Sequence, residues 1–295
     1  MAKSIKRNLL KVLLAVLVVA IVTFVPAKYV PIDSFKAKEV YALAPIKMLM
    51  AAAGVDSGFH SKAISLNGSN ETMANTTDAS IGIANAWTVI CWVKVASFTS
   101  AQLFHLESTS GNEDFIALYT RVDGNMRANI FDSAGAQIKS YLSTNDPLSV
   151  DTIYSLTYTW NGTDLEFYFN TTNIAAGDIN KSVDNSGTMA TATRMVKLGG
   201  NTGVGERLNG ELSAVHVWNV VLDSASRASL YDGGEGYKLD VREATGDYTE
   251  TANLKHQWKL GKNVSPNIGE DFVASGGIDV ETNSEGVDNT NIVTF

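Results

Sequence analysis

The sequence predicts an all-β chain folded as an antiparallel two-sheet sandwich, on three observations. The run Tyr154-Ser-Leu-Thr-Tyr-Thr-Trp160, Asn161-Gly162, Thr163-Asp-Leu-Glu-Phe-Tyr-Phe169 alternates outward and inward residues on both sides of a turn signal. The run Trp87-Thr-Val-Ile-Cys-Trp-Val-Lys-Val95 is apolar at nearly every position, as a strand covered on both faces is. Composition agrees: charged residues make up only 18% of the chain and 24 glycines far outnumber 5 prolines, which suits short strands joined by polar turns and argues against a helical bundle.

From the N-terminus, Lys3, Lys6, Arg7 and Lys11 precede an apolar run over residues 12–25, the order of a basic and then a hydrophobic region in a secretory signal. That run falls short of the ~20 residues of a spanning helix. Val25-Pro26-Ala27 and Val40-Tyr41-Ala42 offer small residues for cleavage. Three readings stay open: a cleaved leader, an uncleaved membrane anchor forming a hydrophobic helix, and an over-extended start upstream of Met48 or Met50. Residues 1–27 are thus assigned to signal or anchor, and 28–60, which lack a strand pattern, to a linker.

Strand signals become dense from Ser61. Ile64 and Leu66 share one face of a first strand, closed by Asn67-Gly68-Ser69-Asn70. Short strands follow at 103–106, 115–122 and 126–131, with Asp123-Gly124-Asn125 as a tight turn. In the aromatic hairpin, Tyr154, Leu156, Tyr158 and Trp160 point one way, Leu165, Phe167 and Phe169 do the same, and Asn161-Gly162 reads as a two-residue turn. In the segment 208–231 a Gly turn feeds a strand with Val215 and Val217 on one face and Leu212 and Trp218 on the other, after which Leu222, Ala225 and Leu230 recur at helical spacing. Gly233-Gly234-Glu235-Gly236 then loosens the chain, and Asn253-Leu-Lys-His-Gln-Trp-Lys-Leu260 reads as one added strand burying Leu254 and Trp258. Residues from Gly261 on read as a polar tail, mobile or docking as a strand only within an assembly. The domain plan is therefore 61–235 for the sandwich and 236–295 for an extension.

Leu208-Asn-Gly-Glu-Leu-Ser-Ala-Val-His-Val-Trp-Asn-Val-Val-Leu-Asp, with the helix ending Leu230-Tyr231, resembles the closing signature of the laminin-G-like jelly roll, a concanavalin-A-like sandwich. The 87–95 strand and the 154–169 hairpin resemble two further strands of that family, and the resemblance spans about 61–232. It implies a non-catalytic, secreted or surface-tethered module that recognises a glycan or glycoprotein. It also implies calcium as a possible partner, held by loop oxygens at the sandwich rim, for which Asn67, Asn70, Glu113 and Asp114 are the candidates. Ser213 stands where the family frequently has Asp.

Other chemistry is poorly supplied. A sandwich glycosidase needs two carboxylates flanking one bond; Glu113 and Asp114 are adjacent and so point to opposite sides, while Asp164 and Glu166 share a face beside a hairpin turn. His60, His105, His216 and His256 show no metal-ligand spacing, and His216 reads as a surface imidazole on the closing strand. Gly199-Gly200-Asn-Thr-Gly203-Val-Gly205 precedes a strand instead of a helix and reads as a loop, not a phosphate cradle. Cys91, the single cysteine, lies between Trp87 and Trp92 and reads as a buried small hydrophobe. A formal charge of −8 leaves no basic surface for nucleic acid. The alternatives to a recognition module are a structural or adhesion component of a phage particle or cell-surface assembly, including a homo-oligomeric one, and a glycosidase with displaced groups. Membrane contact is expected only through the N-terminal segment.

Overall fold

The structure, a computed structural model, describes residues 61–295 apart from 76–80, 85, 108–113, 133, 146–147, 190–194, 202–204, 265–266, 274–277 and 281–285. The expected leader, its hydrophobic helix and the linker lie outside the described residues. Within the described residues, no helix is long and apolar enough to cross a membrane.

The chain begins with β1 (Lys62–Asn67), β2 (Met73–Ala74), β3 (Trp87–Ser97) and β4 (Ala101–Glu107). A meander follows through β5 (Asp114–Thr120), β6 (Met126–Phe131) and β7 (Gln137–Ser143). The aromatic hairpin is β8 (Ile153–Trp160) and β9 (Leu165–Phe169), extended by β10 (Thr172–Asn173). Then come β11 (Ile179–Asp184), β12 (Met195–Leu198), and the small hairpin β13 (Gly200–Asn201) and β14 (Glu206–Arg207). The closing segment is β15 (Asn209–Trp218) and the helix α1 (Ser224–Tyr231), followed by β16 (Leu254–Lys259) and β17 (Ile292–Thr294).

Two antiparallel sheets result. The first runs β10-β9-β8-β3-β15-β1-β17, with β16 also on β15; the second runs β11-β7-β6-β5-β4-β12-β2. Their facing sides form one core in which Val89, Cys91, Tyr158 and Phe167 of the first sheet meet Phe104, Ile116, Leu118 and Val196 of the second. Full burial pushes the Cys91 thiol far above its ordinary value, so it is held as an unreactive hydrophobe. The double-sided burial of β3 has a plain cause. On its outer side Ile90 and Trp92 join Ala214, Trp218, Leu222 and Leu230, and Tyr237, Val241 and Tyr248 close over them. α1 is capped by Asp223, whose side chain accepts from Ser226 N at 2.7 Å.

Several expectations are corrected. The 154–169 turn is a four-residue loop, because Trp160 pairs with Leu165 and Asn161 Oδ1 accepts from the N–H groups of both Thr163 (2.9 Å) and Asp164 (2.7 Å). Leu212 lies on the same side as Val215 and Val217, since a bulge at Ser213 shifts the β15–β3 register and reverses the alternation. Gly210 is needed there because a Cβ would sit 2.3 Å from the Lys94 carbonyl oxygen of β3. His216 is buried instead of exposed: it pairs with Ile90 and Gln257, faces the second cluster and meets Trp218 edge-on at 5.9 Å.

Ser213 also marks a change of neighbour. β1 flanks β15 from Asn209 to Leu212 and β16 flanks it from Ala214 to Trp218, so the two strands lie end to end on one side of β15. The Ser213 hydroxyl donates to Lys62 O at 2.7 Å, and its carbonyl accepts from Leu260 N at 2.8 Å, which stitches both strands at the junction.

The added strand β16 buries Leu254 and Trp258 as expected. The polar tail, by contrast, is part of the fold. Ile268, Ile278 and Val280 enter the main core, and the buried Asp271 accepts from Gln257 N, Val273 N, Ile278 N and the His256 ring. The last strand, β17, pairs with β1 of the same chain, with Phe295 packed against Tyr237 at 4.9 Å.

Candidate functional site

The outward face of the second sheet carries a polar platform that cross-strand register assembles. Gln102 of β4 is opposite Tyr119 of β5, Tyr119 opposite Arg127 of β6, Arg127 opposite Leu142 of β7, and Leu142 opposite Asn180 of β11. A second row runs through Lys197 of β12, His105, Ala117, Asn129, Ser140 and Val183. Side chains opposite one another lie on the same face, and successive same-face residues along a strand are about 7 Å apart. The platform is deepest at β4, where Gln102 is 1% exposed, and rises through the half-buried Arg127 and Leu142 to the exposed Asn180 at the sheet edge.

Polar contacts hold the platform in place. Gln102 Nε2 donates to Glu206 Oε2 at 2.6 Å and to the Tyr119 hydroxyl at 3.2 Å, while its buried Oε1 has no partner among the described residues. The Arg127 guanidinium donates to Asn129 Oδ1 at 3.2 Å and to Ser140 Oγ at 3.4 Å and lies 5.8 Å from the Tyr119 ring centre. It has no carboxylate partner among the described residues. Lys197 pairs with Glu107 and donates to Asn201 at 3.2 Å, and His105 Nδ1 lies 3.6 Å from Glu107. Beneath the platform the Tyr158 hydroxyl crosses from the first sheet to donate to Tyr119 O at 2.9 Å. At the β7–β11 edge the Lys139 ammonium and the Tyr141 hydroxyl bond Asp184 and hold its carboxyl below the ordinary range.

Of the platform's polar residues, Gln102, Tyr119, His105, Asn129, Ser140 and Lys197 are almost wholly buried, and the half-buried Arg127 is what they present to a bound molecule. None of the platform's residues belongs to a local motif, which is why the sequence reading missed them; the signal was the polar alternation at Gln102, Tyr119, Arg127, Asn129 and Ser140, usable only once strands are aligned.

The sequence-derived rim candidates fall elsewhere. Asn67 Oδ1 accepts from Ser69 N (2.9 Å) and Asn70 N (3.2 Å), its amide donates to Asn70 Oδ1 at 2.7 Å, and Glu71 accepts from Asn67 N at 2.6 Å. That loop is brought together, but its oxygens are engaged in shaping it. Its neighbour Thr72 bonds Leu198 O and Gly200 O, at the Ala101 end of β4, whereas Asp114 starts β5 opposite Glu107 at the other end. About five residues of strand, roughly 16 Å, separate the two places. Glu113 lies outside the described residues, and groups of three or more His, Cys, Asp or Glu arranged for a metal are absent among the described ones. His256 instead sits in the extension, with ring nitrogens 2.6 Å from Asp271 and 3.0 Å from Ile81 O.

Comparison with solved structures finds similar chains. A native heptameric SAP-like pentraxin from Limulus polyphemus is 17% identical, with 58% of this chain and 82% of that one covered and a TM-score of 0.44. The Ruminococcus gnavus IT-sialidase CBM40 bound to alpha2,3 sialyllactose is 16% identical, with 59% and 98% covered and a TM-score of 0.43. Domain 4 of AbnA, an extracellular arabinanase from Geobacillus stearothermophilus in complex with arabinotriose, is 16% identical, with 57% and 75% covered and a TM-score of 0.43. No curated protein matches the chain. The family model Laminin_G_3, described as the concanavalin A-like lectin/glucanases superfamily, matches residues 67–226, from the turn that ends β1 into helix α1. With more than half its length matched and a two-sheet antiparallel sandwich built from it, the chain belongs to the concanavalin A-like lectin/glucanase superfamily.

Proposed function

We propose that this protein is a non-catalytic carbohydrate-recognition module whose sugar lies across the platform, from Gln102 towards Asn180. The observation that carries the reading is the row Gln102–Tyr119–Arg127, in which a buried acceptor and a guanidinium without a carboxylate partner stand beside an aromatic ring. Sugars present hydroxyls that accept from a guanidinium, and Arg127 is the half-buried member of the row through which a ligand would engage it, backed by the Tyr119 ring.

Binding without hydrolysis is favoured by how the carboxylates are engaged. Glu206 accepts from Gln102 and Glu107 is paired with Lys197, so both are taken up in holding the platform together. The basic and then apolar leader supports export, which would place the module outside the cell.

A glycan array probed with the full-length protein tests the proposal. Saturable binding to a defined set of glycans is expected, weakened about tenfold or more by Tyr119→Ala and by Arg127→Gln, each checked for retained folding. A blank array, or binding indifferent to both substitutions, would overturn it.

A further inference from the structure

A second recess lies at the sandwich edge. Its volume is about 310 Å³, at the low end of the roughly 300–1,000 Å³ typical of small-molecule sites. The chain creates it by crossing between sheets. β10 covers β9 as far as Ile174, whose N–H donates to Phe167 O at 2.9 Å, and the residues after it swing away towards β11 on the other sheet.

This departure leaves one stretch of main chain facing the recess. Along an antiparallel strand, the N–H and C=O of successive residues point alternately to either side. Asn170 N bonds Ser155 O and Asp164 O accepts from Asn161 N, so the even-numbered residues of β9 face β8. Phe169, Phe167 and Leu165 therefore face the opposite way, and at Leu165 there is no longer a strand to meet them. The recess is lined by Leu165, Ile174, Ala176 and Ile179, with Asn173, Lys181 and the acidic Asp164 and Glu166 at its border. Lys181 lies 4.8 Å from the Tyr141 ring centre and 3.8 Å from Asp184, which keeps its long side chain at the mouth.

A main-chain donor and acceptor aimed the same way, next to small apolar side chains, match a particular ligand chemistry. The N–H and C=O of a trans amide point in opposite directions, so one amide cannot satisfy both Leu165 groups; an acylamino group next to a hydroxyl can. We propose that this recess binds an N-acylated amino sugar. The Leu165 N–H donates to the acyl carbonyl, the Leu165 C=O accepts from the adjacent ring hydroxyl, and the acyl methyl packs against Ile174, Ala176 and Ile179. The remaining ring hydroxyls reach Asn173 and Lys181. An extended peptide fits less well, because strand addition uses several successive main-chain bonds and the free edge here is short: Phe167 O is taken by Ile174, and Thr163 N, the next recess-facing donor, is taken by Asn161 Oδ1 at 2.9 Å. The recess is separate from the platform, so this inference stands whether or not the platform binds sugar.

Saturation-transfer NMR on the full-length protein tests it, with N-acetylglucosamine, glucosamine and glucose as probes. The acetyl methyl should receive the strongest transfer, and N-acetylglucosamine should bind about tenfold more tightly than glucose or glucosamine. Ala176 is exposed in a short turn, so Ala176→Leu should fill the recess and abolish the transfer without lowering the melting temperature, while Ala176→Ser should retain it. Equal transfer to all three sugars, preference for glucosamine, or binding that survives Ala176→Leu would overturn the proposal. So would displacement of the sugar by an N-acetylated tripeptide, which would assign the recess to peptide. A blank glycan array together with an intact N-acetylglucosamine signal would count against the platform alone.

Discussion

Replacing Tyr158 by Phe tests the tie that joins the two sheets beneath the platform. The side chain is fully buried in β8, and its hydroxyl reaches the Tyr119 carbonyl of β5. Phe keeps the ring and its edge-on contact with Phe167, whose centre is 5.4 Å away, so almost nothing changes in packing. What disappears is one inter-sheet hydrogen bond. A net bond is worth about 0.5–1.5 kcal/mol, and a carbonyl left with fewer partners adds to the loss, so a cost of about 1–2 kcal/mol is expected. At roughly 2–4 °C per kcal/mol for a domain of this size, the melting temperature should fall by about 2–8 °C. Urea unfolding followed by tryptophan fluorescence should show a lower midpoint at unchanged slope. Burial pushes the Tyr158 hydroxyl well above the ordinary 10.0, so it stays a donor and the difference should not vary with pH up to that value. Tyr158→Ala, which empties the ring's volume, should cost about 3–5 kcal/mol. If the Phe variant matched the wild type while the Ala variant lost its expected stability, the inter-sheet bond would be refuted.

Val217→Ala removes two methyl groups from the main core and should cost about 1.5–3 kcal/mol in the same urea experiment; an unchanged midpoint would contradict the inward face given to Val217. Asp271→Asn places an amide where Ile278 N and the His256 ring now meet a carboxylate, so about 1–3 kcal/mol should be lost, and hydrogen exchange at Ile278 N should speed up ahead of the rest of the core. Asp240 concerns pH. Burial alone would raise its carboxyl, but hydrogen bonds from Arg242 and the nearby Lys259 hold it well below the ordinary 3.8. A depressed carboxyl stabilises the fold above the unfolded-state value and loses that contribution as pH falls through the folded-state value. Asp240→Asn should therefore melt lower than wild type at neutral pH, and the gap should narrow steadily on acidification below 3.8; a constant gap would show that the carboxylate's charge is not what matters.

The parts legible in the sequence share a physical property. The 154–169 hairpin has an uninterrupted inward face, and β3 is apolar throughout because two separate clusters cover it. β7 was not legible, because its inward Lys139 is buried by an ion pair with Asp184, 45 residues later, and a buried lysine reads as a surface residue. The face of Leu212 was misread for a related reason: one bulge at Ser213 reverses a period-two pattern, and only the partner strand reveals it. The tail looked polar because its anchors are few, namely Ile268, Ile278, Val280 and the carboxylate of Asp271. The platform was invisible in one dimension, since its residues come from strands whose order in the sheet is set by the register of their neighbours.

The position of β17 bears on how this sheet edge closes. β1 cannot complete its ladder until Ile292–Thr294 arrives; Lys62 and Thr294 are 232 residues apart in sequence yet joined at the sheet edge. Until that segment docks, the flank of β1 is an open invitation to any passing strand, so this late, long-range seam guards the sheet against pairing with a second copy.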